Sequence, residues 1–366
     1  MKQKIKYFWS KLQSKRKLQL FWLFFLTVVT SILEAVSIGA VIPFLGALTS
    51  PEILYENENI LPVLTWLSIE DSQQLLPLFS LIFAVLILIS GALRVALLWA
   101  QTRISFAIGV DLDEEIYKNI LHKPYSEHLT NNSSKLISSL TIKTSQVVTQ
   151  LIIPSLLILS SSLILSAILL LLIMVNPVVA IMSLLGFGLI YVTIYLVVRN
   201  NLKNSSRRIS SYQDRGVKII QESIGGIRDI LIDGLQPVFH KAHLEANLTL
   251  KRALGNNQII ANAPRFAIEA ISMALVIIIA NIFINNSGNG IVEVLPILGL
   301  VVLSAQRVLP VLQQIFSSIS QIKGVNNTAE DVVELLRKSE THGQCNEKIL
   351  KLSTLNFKHC IVLNNV

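Results

Sequence analysis

The stretch Ile259 to Phe316, IIANAPRFAIEAISMALVIIIANIFINNSGNGIVEVLPILGLVVLSAQRVLPVLQQIF, decides the fold. Six polar residues, Asn285-Asn286-Ser287-Gly288-Asn289-Gly290, divide it into two apolar runs, and each run carries one arginine, Arg265 and Arg307. Both runs are long and apolar enough to cross a bilayer as helices. A guanidinium at mid-helix in hydrocarbon costs about 2.5 kcal/mol or more, so it faces protein or a water-filled cavity, or it snorkels to the interface.

The rest of the chain has the same character. Of its 366 residues 52% are hydrophobic and only 15% charged, and the mean hydropathy is +0.59. Such a balance excludes a soluble domain and predicts an all-α polytopic membrane protein. The net charge of +8 does not point to nucleic acid, because the basic residues sit in loops between spans, where they set orientation. Cys345 and Cys360 lack a partner at metal-ligand spacing and read as free thiols, so neither a zinc site nor a disulfide framework is expected.

Residues 1–17 interleave Lys2, Lys4, Lys6, Lys11, Lys15, Arg16 and Lys17 with Tyr7, Phe8, Trp9 and Leu12, which suits a basic amphipathic helix on an anionic cytoplasmic leaflet. Six membrane-spanning helices are predicted at about 20–48, 75–100, 147–175, 177–198, 259–284 and 292–316. The segments between spans one and two, three and four, and five and six carry no Lys or Arg, whereas the other connections are rich in them. That asymmetry places both termini on the cytoplasmic side.

Segments 101–146 and 199–257 are far longer than the external loops and read as cytoplasmic helical extensions, each with a bend at its tip. The first is interrupted by Pro124 and followed by Asn131-Asn132-Ser133-Ser134; the second holds Gly225-Gly226 ahead of the short amphipathic turn Ile227 to Gly234. Arms of about 20 residues reach roughly 30 Å beyond the membrane. Apolar tips at that distance call for a soluble partner. A polar helix is expected over 317–338, and residues 349–366 alternate like two short β strands.

This order of elements, a basic elbow helix, six spans, two long internal arms, a tail helix and an opening strand, resembles the transmembrane half of an exporter-type ABC transporter over residues 1–340. The resemblance implies a homodimer in which the internal bends act as coupling helices on nucleotide-binding domains supplied in cis or in trans. The coupling positions would then be Tyr125, Glu127 and His128 in the first bend and Gly226, Arg228 and Asp229 in the second. It also implies that 341–366 begins a truncated ATPase domain. No G-x-x-x-x-G-K-[ST] loop occurs, and Ser223-Ile224-Gly225-Gly226 is not the ABC signature, so ATP and Mg are expected only on that further domain and no cofactor on this chain. Residues Glu34 to Leu45 look like the corresponding helix of bacterial lipid-linked oligosaccharide flippases, which implies a bacterial plasma membrane and a lipid-linked substrate. An exporter of peptide, drug or other lipid is the alternative. A secondary carrier driven through Glu34 and an inactive remnant stand behind it.

An independent argument comes from depth. Arg94, Arg265 and Arg307 lie about 19, 19 and 15 residues inward from the outer ends of their spans, roughly 22 to 29 Å at helical rise. Together with Glu34 they form the candidate substrate site. In a dimer six arginines would make a belt suited to a pyrophosphate, which arginine grips bidentately. The same depths approach the inner edge of the hydrocarbon layer, so snorkelling explains them equally well. Arg265 also has Glu269 four residues on, and Glu34 reads as a counter-ion for an arginine in preference to a proton carrier.

Overall fold

The computed structural model describes residues 13–49, 75–122, 125–126, 133–175, 206–263 and 291–336, with single residues or pairs between 177 and 193 and between 266 and 281; side chains at 291–298 and 300–305 are outside the description. Its elements are helices: α1 (Ser14–Gly39), α2 (Val41–Thr49), α3 (Leu75–Leu121), α4 (Ser133–Val175), α5 (206–225), α6 (Ile227–Ile232), α7 (Gln236–Asn262), α8 (Ile291–Gly324) and α9 (326–336). Three described helices, Ser14–Leu48, Leu75–Leu121 and Ser133–Val175, are long and apolar enough to cross a membrane. The predicted spans at 177–198 and 259–284 fall largely outside the described residues, and so do the amphipathic segment 1–12 and the β-type segment 349–366. The predicted span 292–316 falls inside α8.

The first span is built inside out, as a lipid-facing helix must be. Its exposed face carries Phe21, Trp22, Phe24, Phe25, Val29, Ile32 and Val36, while Thr27, Thr30, Ser31, Glu34 and Ser37 are buried. Lipid tails are as apolar as leucine, so helices in a bilayer associate through close packing of small and polar residues. Hydroxyls on that inner stripe satisfy themselves locally: Thr27 Oγ1 donates to the Leu23 carbonyl and Ser37 Oγ to the Glu34 carbonyl, both at 2.8 Å.

Helix α4 packs against both α1 and α8, and α1 also packs on α3. Ile38, Ile164, Ile168, Leu172, Val308 and Val311 form the core within the spans. Helix α2 lies between α3 and α8, close enough that a Cβ added at Gly299 would run into Leu45 Cδ1. The helices do not stop where the hydrocarbon does. At 47 residues, α3 is about 70 Å long, roughly twice what a span requires. Its lower part packs on α4 and on α9 through Leu112, Ile116, Val147, Leu151, Ile322, Val325, Val332 and Leu336, a second core below the first. A Cβ at Gly109 would sit 2.5 Å from Val148 Cγ2, so only glycine lets α3 and α4 approach here.

The lower part of α4 departs from regular α geometry. Two five-residue π turns, Ser139–Lys143 and Val148–Ile152, flank the α turn Thr144–Val147. At the foot of the bundle, Arg16 grips Asp111 bidentately, Nε to Oδ2 at 2.7 Å and Nη2 to Oδ1 at 2.9 Å, fastening the start of α1 to α3. These hydrogen bonds hold the Asp111 carboxyl below its usual range and raise the Arg16 guanidinium above its own.

Candidate functional site

Helices α1, α3 and α8 deliver Glu34, Arg94 and Arg307 to one point. Arg94 Nε lies 3.0 Å from Glu34 Oε2, and Arg307 Nη1 lies 3.3 Å from Oε1. The carboxylate is 0% exposed, whereas the two guanidinium groups keep 34% and 32% of their surface. Neither contact has hydrogen-bond geometry, so both Glu34 oxygens are held by charge alone. Among the described residues, one acid between two bases leaves the cluster at a net charge of +1, inside the bundle of apolar helices. An uncompensated cation there attracts an anion strongly.

Arg94 and Arg307 thus converge on one carboxylate. Both turn toward Glu34. Glu34 sits behind them as their counter-ion, fully covered, and is not itself a surface a ligand could touch. Arg265 lies outside the described residues. The serine and threonine stripe on α1 leads to the cluster, and on α4 Ser161 Oγ donates to Gln314 Oε1 of α8 at 2.9 Å, adding polar contacts between the spans.

At the other end of the molecule, α5 and α7 form a helical hairpin whose tip is α6. Gly226 precedes α6 as its N-cap, and Gly234 follows it at φ 66°, the left-handed conformation that closes the turn. Ile230 is buried, but Arg228 and Asp229 are exposed. So are Ile224, Ile227, Leu231, Ile232 and Val238, a concentrated apolar patch at the tip. In the first bend Tyr125 is 76% exposed. Glu127 and His128 lie outside the described residues.

One constellation escaped the sequence reading. Lys143 is 0% exposed, at the end of the first π turn, with Nζ 2.8 Å from Asp214 on α5 and 2.7 Å from Asp331 on α9. Ser138 Oγ donates to Asp214 Oδ1 at 2.5 Å, and Ser210 Oγ to Asp331 Oδ2 at 2.6 Å. A signal was present, because Lys143 is the only charged residue between 136 and 198. Its partners, 71 and 188 residues away, could not be named without the fold.

Among curated proteins, none matches the chain. The family described as "ABC transporter transmembrane region" matches residues 18–321, from within α1 to within α8. With long helices that continue from the membrane into paired arms, and with more than half of its length matched, this chain belongs to the ABC transporter transmembrane region family.

Proposed function

We propose that this subunit of an ABC exporter moves an amphipathic lipid carrying a pyrophosphate-linked head group, of the lipid-linked oligosaccharide kind, by alternating access. The observation that carries this reading is the intramembrane Glu34–Arg94–Arg307 cluster, with its net positive charge and its two partly exposed guanidinium groups. Each arginine uses few of its five donors on Glu34 and can offer a planar fork to phosphate oxygens. Arg265 would complete the set in a dimer. The apolar helices around the cluster leave the lipid tail in the bilayer while the head group is gripped.

Two copies, six spans each, with both termini cytoplasmic in a bacterial plasma membrane, would place the α6 tip and the Tyr125 bend against nucleotide-binding domains. Binding of ATP with Mg belongs to those domains. The exposed Ile227, Leu231 and Ile232 supply the apolar contact, and Arg228 and Asp229 the polar rim. Against a secondary carrier working through Glu34 stands its complete burial between two cations.

The test uses the protein assembled with its ATPase domains in vesicles. Arg94→Gln, Arg265→Gln and Arg307→Gln should each reduce flipping of a fluorescent polyprenyl pyrophosphate lipid, with ATP hydrolysis and expression kept. Normal transport by all three variants would remove the phosphate reading. Cysteines placed at Ser126 and Asp229 should crosslink to a nucleotide-binding domain, and their failure to do so in an active preparation would remove the coupling assignment.

A further inference from the structure

Lys143, Asp214 and Asp331 bring together three helices that reach the cytoplasmic foot of the molecule by separate routes. Helix α4 descends from the third span, α5 forms one side of the hairpin that carries α6, and α9 continues the last span toward the chain's C-terminal end. At the meeting point Lys143 Nζ engages both carboxylates, and Asp214 and Asp331 accept in addition from Ser138 and Ser210. The backbone amide of Asn327, at the start of α9, also donates to Ser206 Oγ at 3.1 Å.

Stability is a poor explanation for such a triad. Desolvating each ion costs several kcal/mol, and well-packed apolar residues in its place would be equally stable or more so. What a buried ion network provides that leucines do not is a single register between the elements it joins. Here the register is unusually constrained. Lys143 closes a π turn, a form found mostly as single-turn bulges and often at functional sites.

We propose that Lys143, Asp214 and Asp331 are positioning residues for energy coupling: they lock α4, α5 and α9 together so that force arriving at α6 and at α9 moves the third and last spans as one lever. This rests on the reading of the arms as docking sites for ATPase domains. The acids are donated by the two elements that approach such domains, the hairpin and the tail, and the base by the span that packs on the substrate cluster's helices α1 and α8. Without the tie, the tail and the hairpin would answer nucleotide separately and the spans would receive neither motion in full.

The experiment compares the native assembly, with its ATPase domains and in lipid, with the neutral variant Lys143→Met/Asp214→Asn/Asp331→Asn. Two quantities are read. Amide exchange over 326–336 should be at least tenfold faster in the variant, with exchange over 153–175 unchanged. A spin label at Met174, 86% exposed at the end of α4, should report an ATP-and-vanadate shift between the two copies of the native protein. The variant should retain ATP hydrolysis within about twofold but less than a fifth of that shift. A full shift in the variant, or unchanged exchange over 326–336, overturns the proposal. If the native assembly shows no nucleotide-linked shift, the exporter reading fails separately, while the exchange rate still decides whether the charges hold α9. Should the triple variant not assemble, Ser138→Ala/Ser210→Ala keeps the charges and removes two hydroxyls. About threefold faster exchange over 326–336 then supports the tie, and none overturns it.

Discussion

The two charge clusters of this protein are opposites. Within the spans one acid, Glu34, faces two bases; where α4, α5 and α9 meet one base, Lys143, faces two acids. In the lower cluster the lysine is sealed, and its carboxylates, 28% and 21% exposed, accept hydrogen bonds from two serines. The upper one is open, with its carboxylate oxygens unengaged by any directed hydrogen bond and its arginines a third exposed. A satisfied network has no capacity left for a ligand and fixes geometry; an unsatisfied one with surplus charge and accessible donors has capacity to spare.

The comparison is broken most forcefully at the closed cluster. Lys143→Met alone leaves Asp214 and Asp331 facing each other without a cation, and should lower unfolding stability by about 3 kcal/mol. Thermal unfolding in detergent reads this, and the neutral triple variant should recover most of the loss. At the open cluster, Arg307→Gln should instead leave the melting temperature within a few degrees and cut flipping of a pyrophosphate lipid about tenfold, equivalent to one good charge-assisted contact at about 1.4 kcal/mol. Arg307→Lys should recover part of it, keeping charge but losing the fork.

Glu34→Gln sharpens the contrast further. Without its carboxylate the open cluster gains a full charge, so KM for the pyrophosphate lipid should fall about threefold and kcat fall with it, as release becomes slower. A closed, structural cluster would show no such split. Gly109→Ala acts on stability alone: its Cβ meets Val148 Cγ2, and overpacking of this kind costs about 1 to 3 kcal/mol. The loss should appear as faster unfolding with an unchanged KM.

Of the stability losses the least belongs to Asp111→Asn, about 1 kcal/mol for a half-buried ion pair at neutral pH. Because Arg16 depresses the Asp111 carboxyl, its contribution is complete above the ordinary value of 3.8 and disappears as pH falls through the lowered one. Wild type and variant stabilities should therefore converge only below about pH 3.8.

What the sequence made legible follows from which forces are local. Hydrophobic run length is written along the chain, so the three described apolar spans could be read from it, and Glu34 could be recognised as a counter-ion. The length of α3 beyond Ala100 was visible in the same way. Lys143 was not, because its meaning depends on Asp214 and Asp331, contributed by separate helices. Nor did any pattern mark the π turns in α4: Ser139 to Ile152 has the composition of an ordinary helix. Gly109 likewise shows its purpose only beside Val148.

Those wide turns also make α4 forgiving of a change in chain length. A π turn closes its hydrogen bond one residue later than an α turn, so each accommodates a residue that the flanking helix does not need for its phase. Deleting one residue inside 139–143 or inside 148–152 would restore the α repeat and leave the helix above and below facing as before, whereas a deletion in the regular stretch 153–175 would rotate half of a span away from its neighbours. Single-residue gaps are therefore tolerated by the scaffold at these two places, and the first of them would also remove or displace Lys143.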